Sequence, residues 1–152
     1  MAHIFQINTS PGGLPKHGTG KAEVTTQGIS GDQQRDLVHH GGPDRAICVY
    51  ALERLQVLQA EGHPVFPGAM GENLTLAGID WEQVIPGAQL QLGNAVVIEI
   101  TDYTVPCGHL KPFFLQEEIS RVGQKTHPGW SRVYARVLHG GSIQVGDRVV
   151  IL

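Results

Sequence analysis

The sequence has few charged residues and no strong excess of either sign. Of its 152 residues 16% are charged and the formal net charge is -3. A protein that binds nucleic acid usually carries a basic surplus, so we expect no nucleic-acid partner. There is also no signal-peptide pattern after Met1 and no apolar run long enough to span a bilayer. We therefore expect a cytoplasmic protein without a membrane partner. With hydrophobic residues at 41%, extensive disorder is excluded and a real core is expected.

Cysteine is scarce too, with Cys48 and Cys107 as the whole complement. Without an export signal, two free thiols are a better interpretation than a disulfide. Suitable zinc ligand types are present, but the C-x-x-C and H-E-x-x-H spacings are missing, so structural zinc is disfavoured. The phosphate-binding patterns G-x-x-x-x-G-K-[ST] and G-x-G-x-x-G are absent as well, so nucleotide binding by those routes has no support.

Glycine and proline, at 20 and 9 residues, separate many short extended runs. Such runs with frequent turns predict a mostly β domain, a barrel or a sandwich, over residues 1–152. No helical pattern alternates with them, which disfavours a parallel α/β sheet. The predicted strands are His3 to Asn8, Lys21 to Gln27, Ala46 to Tyr50, Asn73 to Ala77, Gln89 to Leu92, Val96 to Thr101, Val133 to Leu138 and Val145 to Leu152.

Two helices are predicted outside this β structure. The first runs from Leu52 to Ala60, where leucines recur on one face. The second runs from Phe113 to Val122, with Pro112 in its first turn. A shorter turn is expected to begin at Asp80, with Gln83 at capping-box spacing.

Cys107 follows the most apolar run of the chain, and Pro106 ends that run. Gly108 and His109 then begin a turn, so the thiol is expected at a strand end. This position fits a reactive thiol that a ligand can reach. It also fits the small buried hydrophobic residue that a free cysteine often is.

A long polar loop from Gly28 to Arg45 is the densest concentration of candidate ligands. Loops of this length in a compact domain are usually functional or disordered. Glycines allow close backbone approach, and the arginine forks suit phosphate. An ordered loop held by Asp–Arg pairs is the alternative for any one residue. As a cluster we interpret it as a binding site, formed by Asp32, Arg35, His40, Gly41, Gly42 and Arg45.

Two further segments carry candidate residues. Glu72 and Asn73 stand between Gly71 and a strand start, where they can bind an amide or pterin edge or can cap a turn. Lys16 lies in a glycine-rich loop and, taken alone, is expected to be solvated surface.

Six short motifs in order give the sequence its resemblance to a known family. It resembles the MOSC domain, the C-terminal domain of molybdenum-cofactor sulfurases, in its small stand-alone bacterial form. The resemblance covers nearly the whole chain. The motifs are Pro15-Lys16, Gly28-Ile29-Ser30-Gly31-Asp32, His40-Gly41-Gly42-Pro43-Asp44-Arg45-Ala46, Gly71-Glu72-Asn73-Leu74, Pro106-Cys107 and Gly146-Asp147.

The resemblance implies a twisted β-barrel with a few peripheral helices. It implies that Cys107 is the catalytic cysteine, which either ligates molybdenum in a pterin cofactor or carries sulfur as a persulfide. It further implies that Gly41, Gly42, Arg45 and Asn73 hold the pterin and its phosphate, and it adds Lys16 to the cofactor-binding set. Cys48 is interpreted as a core residue. Nothing resembles a pyridoxal-phosphate domain, so no such cofactor is expected.

Three functions stay open on the sequence. The first is a molybdenum-cofactor oxidoreductase that reduces N-hydroxylated small molecules with electrons from a separate reductase, since no flavin, haem or iron–sulfur motif is present. The second is sulfur transfer from a donor protein through a Cys107 persulfide. The third is a ligand-binding module in which the cysteine is incidental. The phosphate-suited loop favours the first, because a persulfide carrier needs no phosphate site.

Overall fold

Short strands separated by glycine turns form most of the secondary structure in the computed structural model, which describes residues 1–33 and 42–152. Within these residues there are eleven strands and one α-helix, α1 (Leu52–Ala60). The strands are β1 (His3–Thr9), β2 (His17–Thr19), β3 (Lys21–Thr25), β4 (Gly28–Ile29), β5 (Ile47–Ala51), β6 (Leu74–Ala77), β7 (Gln89–Leu92), β8 (Val96–Tyr103), β9 (Val133–His139), β10 (Gly141–Gln144) and β11 (Val149–Ile151).

The strands form two open sheets. The larger has the order β11-β7-β8-β9-β5-β6-β1-β2 and the smaller the order β10-β3-β4. Only the β5–β6 pair is parallel among the pairs described, and its register places Val49 beside Leu74. The mostly β prediction is confirmed.

The twisted barrel that the resemblance implies is not closed in the part of the chain that the structure describes. β1 does approach β11, through the bridge between His3 and Arg148 and through the bond from the Ile4 N–H to the Asp147 carbonyl, 2.9 Å. β11 has only three residues, however, and these pair with β7. The contact with β1 is one isolated bridge and not a ladder of paired residues, and a pattern of short strands does not by itself distinguish closure from an open sheet.

Of the two predicted helices, one is confirmed. α1 spans Leu52–Ala60 as predicted and buries Leu55 and Leu58. The segment from Phe113 to Val122 is not an α-helix: 3₁₀ turns cover Gly108–Phe113, Leu115–Glu117 and Ile119–Val122. Gln116 and Glu117 adopt φ angles of 54° and 57°, in the left-handed region, which interrupts a helical ladder.

Two smaller expectations are also modified. A 3₁₀ turn, Trp81–Gln83, does follow Asp80, but no side-chain cap forms there. Instead the Gln83 side-chain amide donates to the Asp80 carboxylate, 2.7 Å. Of the predicted strand from Val145 to Leu152 only Val149–Ile151 is a strand, because Gly146 turns the chain with φ 93° between β10 and β11.

Cys48 and Tyr134 pair directly across β5 and β9. Neither belongs to the contiguous hydrophobic core, whereas their neighbours Val49 and Val133 do. Since successive side chains of a strand point to opposite faces, Cys48 and Tyr134 project together from the other face. The charged groups that act on Cys48 are Arg132, Glu72, Lys16 and Asp32. No helix in residues 1–33 and 42–152 is long and apolar enough to cross a membrane.

Candidate functional site

Asn73 forms hydrogen bonds with β1 and β5 at the edge of the sheet where β5 and β6 begin. Its N–H donates to the Cys48 carbonyl at 2.8 Å, and the Cys48 N–H donates back to the Asn73 side-chain oxygen at 2.9 Å. The Asn8 N–H of β1 donates to the Asn73 carbonyl at 2.7 Å. Asn73 thus satisfies backbone groups that a shorter side chain would leave unpaired inside the protein.

Lys16 and Asp32 form a buried ion pair, with Nζ to Oδ1 at 2.6 Å and side-chain exposures of 3% and 5%. The Asp32 carboxylate also accepts from the Ser10 N–H at 3.0 Å and from the Asn73 side-chain amide at 2.9 Å. The expectation that Lys16 is solvated surface is wrong. Gly68 covers its backbone so closely that a Cβ at Gly68 would lie 2.3 Å from the Lys16 carbonyl.

Glu72 is fully buried and only half satisfied. Its Oε2 accepts from the Thr75 hydroxyl at 3.2 Å, while its Oε1 has no hydrogen-bond partner among the described residues. Burial raises the pKa of Glu72 to about 7, although backbone N–H groups of Gly68 and Glu72 and the charge of Arg132 act to lower it. Near neutral pH this carboxyl is therefore divided between its neutral and charged forms.

Arg132 is a buried cation that the sequence analysis missed. It is 6% exposed, and its Nη1 donates to the Met70 carbonyl at 2.6 Å. Its Nε has no partner among the described residues. The sequence signal was weak: a lone arginine just before the β9 strand is usually at the surface.

Tyr134, which the sequence analysis also missed, is a side chain on which the charges of two cysteines and two arginines act. Burial raises the pKa of Tyr134 to about 12, and the charges of Cys48, Arg132, Arg45 and Cys107 all act on the phenol. The Arg45 guanidinium carbon lies 5.5 Å from the centre of the ring. Arg45 and Cys107 therefore approach the same side chain, although 62 positions separate them in the sequence.

The two thiols differ in accessibility. Cys48 is 6% exposed, and burial raises the pKa of its thiol to about 11. Cys107 is half-buried and begins the Gly108–Phe113 turn, where its carbonyl accepts from the Leu110 N–H at 3.0 Å. Both are free cysteines. The thiol that a ligand can reach is Cys107.

Part of the predicted loop can be placed. Gly42, with φ 81°, precedes the 3₁₀ turn Pro43–Arg45, and a Cβ there would meet nothing within 4 Å. Arg35, His40 and Gly41 lie outside the described residues. In the described part of the chain, no three His, Cys, Asp or Glu side chains form a group able to hold a metal ion.

The fold and site define a mostly β domain with one reachable thiol and two guanidinium groups whose charges act on Tyr134. The family model described as the MOSC domain matches residues 36–150. The chain belongs to the MOSC domain family.

Similar sequences occur in bacteria and in a fungus. An uncharacterised protein, YflK, from Bacillus subtilis is 38% identical over 128 residues, which is 83% of this chain and 56% of YflK. Protein YiiM from Escherichia coli is 31% identical over 73% of this chain and 51% of its own. A protein named reductase from Gibberella moniliformis is 30% identical over 88% of this chain and 24% of its own. The chain thus spans about half the length of the two bacterial relatives.

Solved structures agree on the fold. The crystal structure of YiiM from Geobacillus stearothermophilus has a TM-score of 0.74 and is 26% identical, and the match covers 100% of this chain and 75% of YiiM. YUAD protein from Bacillus subtilis, at a TM-score of 0.74 and 15% identity over 97% of this chain and 93% of its own, shows the fold alone.

Proposed function

We propose that this domain binds a molybdenum cofactor through Cys107 and reduces N-hydroxylated small molecules with electrons from a separate reductase. Membership of the MOSC family and the similarity to a protein named reductase support the proposal. The observation that carries it is the position of Cys107. This thiol is half-buried, and it acts electrostatically on Tyr134, as Arg45 and Arg132 also do.

The residues present fit such a group. A thiolate is a soft ligand suited to a soft metal centre, and guanidinium groups suit a phosphate. Two buried polar atoms of residues whose charges act on Cys48, Oε1 of Glu72 and Nε of Arg132, have no partner in the described part of the chain. Buried polar groups are rarely left unpaired, so a bound ligand is a natural partner for them.

The other predicted ligands act indirectly in this proposal. Lys16, Asp32 and Asn73 already bond to one another and to the backbone. They hold residue 32 and the start of β6 in place, and so position the groups around Cys48 and Tyr134. Cys107 holds the metal, and Arg45 binds the phosphate of the cofactor. Arg35, His40 and Gly41 stay predictions as further contacts.

When bound, the cofactor supplies two-electron redox chemistry. Reduction of an N-hydroxyl group breaks the N–O bond, consumes two electrons and two protons, and releases water. The electrons come from the separate reductase. The residues of this domain anchor the cofactor and exclude water around Tyr134, because Tyr134 and Arg132 are 7% and 6% exposed.

Metal analysis in two expression hosts tests the proposal. Protein from a host that makes molybdopterin should retain molybdenum, and protein from a host that cannot make it should not. Cys107→Ser should lose the metal in the first host. Cys48→Ala should keep it, at a stability cost of about 1 kcal/mol for a small cavity. Folded variants that lose molybdenum equally would contradict the assignment of Cys107.

Sulfur transfer is the second candidate function, because Cys107 is the reachable thiol. Its thiolate would attack the sulfane sulfur of a donor, forming an S–S bond at Cys107 while the donor leaves as a thiolate. Protein from the molybdopterin-deficient host, incubated with a sulfane donor protein, should then gain the mass of one sulfur atom at Cys107. A metal-free protein that gains no sulfur and retains no molybdenum in the competent host would favour the ligand-binding module.

A further inference from the structure

We propose that His63 is a pH-sensitive switch. Its neutral ring holds the 3₁₀ turn Leu115–Glu117 at the end of α1, and protonation of the ring releases that turn. One residue separates the Leu115–Glu117 turn from the Gly108–Phe113 turn, which Cys107 precedes. The switch therefore fixes the far end of the segment that carries the reachable thiol, and it needs no cofactor.

The position of His63 follows from the way α1 ends. Gly62 has φ 99°, and its N–H donates to the Gln59 carbonyl at 2.9 Å. The His63 N–H donates to the Leu58 carbonyl at 3.1 Å. This pair of bonds is the Schellman motif, in which a left-handed glycine ends a helix. The His63 residue is 7% exposed, and its ring lies 5.0 Å from the ring of Phe114, so the imidazole is held in place.

One hydrogen bond joins this ring to the turn and fixes its tautomer. The Leu115 N–H donates to Nδ1 of His63 at 3.1 Å. A ring nitrogen that accepts carries no hydrogen, so the hydrogen of the neutral ring is on Nε2. A second proton can bind only at Nδ1, and both nitrogens of a charged imidazole are donors. Protonation therefore replaces the hydrogen bond by two N–H groups that face each other.

Two other histidines of the described residues lack this property. Nδ1 of His3 faces the Met1 carbonyl and Nδ1 of His127 faces the Ser120 carbonyl, both at 3.0 Å. A carbonyl only accepts, so these nitrogens carry the hydrogen and the contacts persist when the rings are charged. Of these three rings, His63 is the one whose bond protonation breaks.

The Leu115–Glu117 turn depends on such a contact. None of its residues is buried, and two of them adopt left-handed φ angles of 54° and 57°, which are unfavourable for residues other than glycine. Leu115 does pack on Gly62, since a Cβ there would lie 2.9 Å from the Leu115 Cδ1. The Leu115 side chain is nevertheless 48% exposed. Little apolar burial therefore opposes release of the turn once the bond is lost.

A carboxylate faces the other side of the ring. Nε2 of His63 lies 3.6 Å from Oε1 of Glu61. Hydrogen bonds from Arg121 hold the pKa of Glu61 below its ordinary value, so this carboxylate stays ionised near neutral pH. The charged ring thus has a partner in Glu61 while it loses the bond to Leu115. The other charged or titratable groups of the neighbouring turns are His127, Lys111 and Glu117.

Amide hydrogen exchange of Leu115 tests the switch. Protection, corrected for the intrinsic exchange rate at each pH, should fall at least about fivefold from about pH 7.5 to about pH 5.5. Histidine changes charge in this range, and release is linked to the uptake of one proton. The internal reference is the Val84 N–H, which donates to the Trp81 carbonyl at 3.0 Å at the end of another 3₁₀ turn. Its protection should change less than about twofold.

His63→Asn is the matched variant, because its Oδ1 can replace Nδ1 as the acceptor but carries no charge. Leu115 protection in this variant should vary less than about twofold over the same range. His127→Asn is the control, since His127 is exposed and also acts on Glu61. It should keep the pH dependence of the wild type.

Three results overturn the proposal. They are Leu115 protection that does not change with pH in the wild type, a fall of equal size in His63→Asn, and loss of the pH dependence in His127→Asn. Should His63→Asn not fold, the comparison of Leu115 with Val84 in the wild type decides, and equal falls at the two amides overturn the proposal.

Discussion

Glu72→Gln should remove part of the pH dependence of the free energy of unfolding. Burial raises the pKa of Glu72 from 4.5 to about 7, and the carboxyl returns to its ordinary value when the chain unfolds. The folded state thus holds a proton that the unfolded state releases between these values. Stability from this group is fully present below pH 4.5 and is lost as pH rises through about 7. The size is about 3 kcal/mol, from about 1.4 kcal/mol for each pKa unit.

Urea unfolding of both proteins at several pH values between about 5 and 8 measures this contribution. The wild type should lose roughly 2–3 kcal/mol relative to Glu72→Gln across that range, because glutamine stays neutral. Glu82→Gln is the control, since Glu82 is exposed. A difference between wild type and Glu72→Gln that does not change with pH would refute the assignment of a neutral buried carboxyl.

Three further outcomes are expected. At about pH 7.5 iodoacetamide should label Cys107 before Cys48. The Cys48 thiol, with a pKa of about 11, is ionised only to roughly 3 parts in 10,000 at that pH. Equal labelling of the two cysteines in folded protein, measured by peptide mass spectrometry, would be incompatible with this. Lys16→Met or Asp32→Asn alone should cost about 3–5 kcal/mol in urea unfolding, since each leaves one buried charge unpaired, while the double variant should lose clearly less than the sum; additive losses would mean that the pair is not coupled. Arg45→Ala should weaken cofactor retention by about one to two orders of magnitude with little change in Tm, and Arg45→Lys should recover only part of it; a lower Tm with unchanged retention would instead make Arg45 a loop anchor.

Local patterns predicted most of the secondary structure. α1 and β7 have the predicted bounds, and the other predicted strands are present with shifted ends, the last one shortened to Val149–Ile151. These segments have strong periodicity and clear glycine or proline boundaries. β2, β4 and β10, of three, two and four residues, were missed because they are too short to show a clear pattern. The helix expected from Phe113 failed for a different reason, since Gln116 and Glu117 adopt left-handed φ angles that interrupt a helical ladder.

The sequence by itself determined the family and the mostly β class, because the first depends on short motifs in order along the chain and the second on short extended runs between turns. Only the tertiary structure decided which charges are buried. Lys16 is buried because Gly68 packs over it from 52 positions away, and Arg132 is buried because its guanidinium reaches the Met70 carbonyl from 62 positions away. Desolvation depends on such distant contacts. The raised pKa of Glu72, and the burial of Arg132 without a carboxylate partner among residues 1–33 and 42–152, therefore exist only in the folded chain.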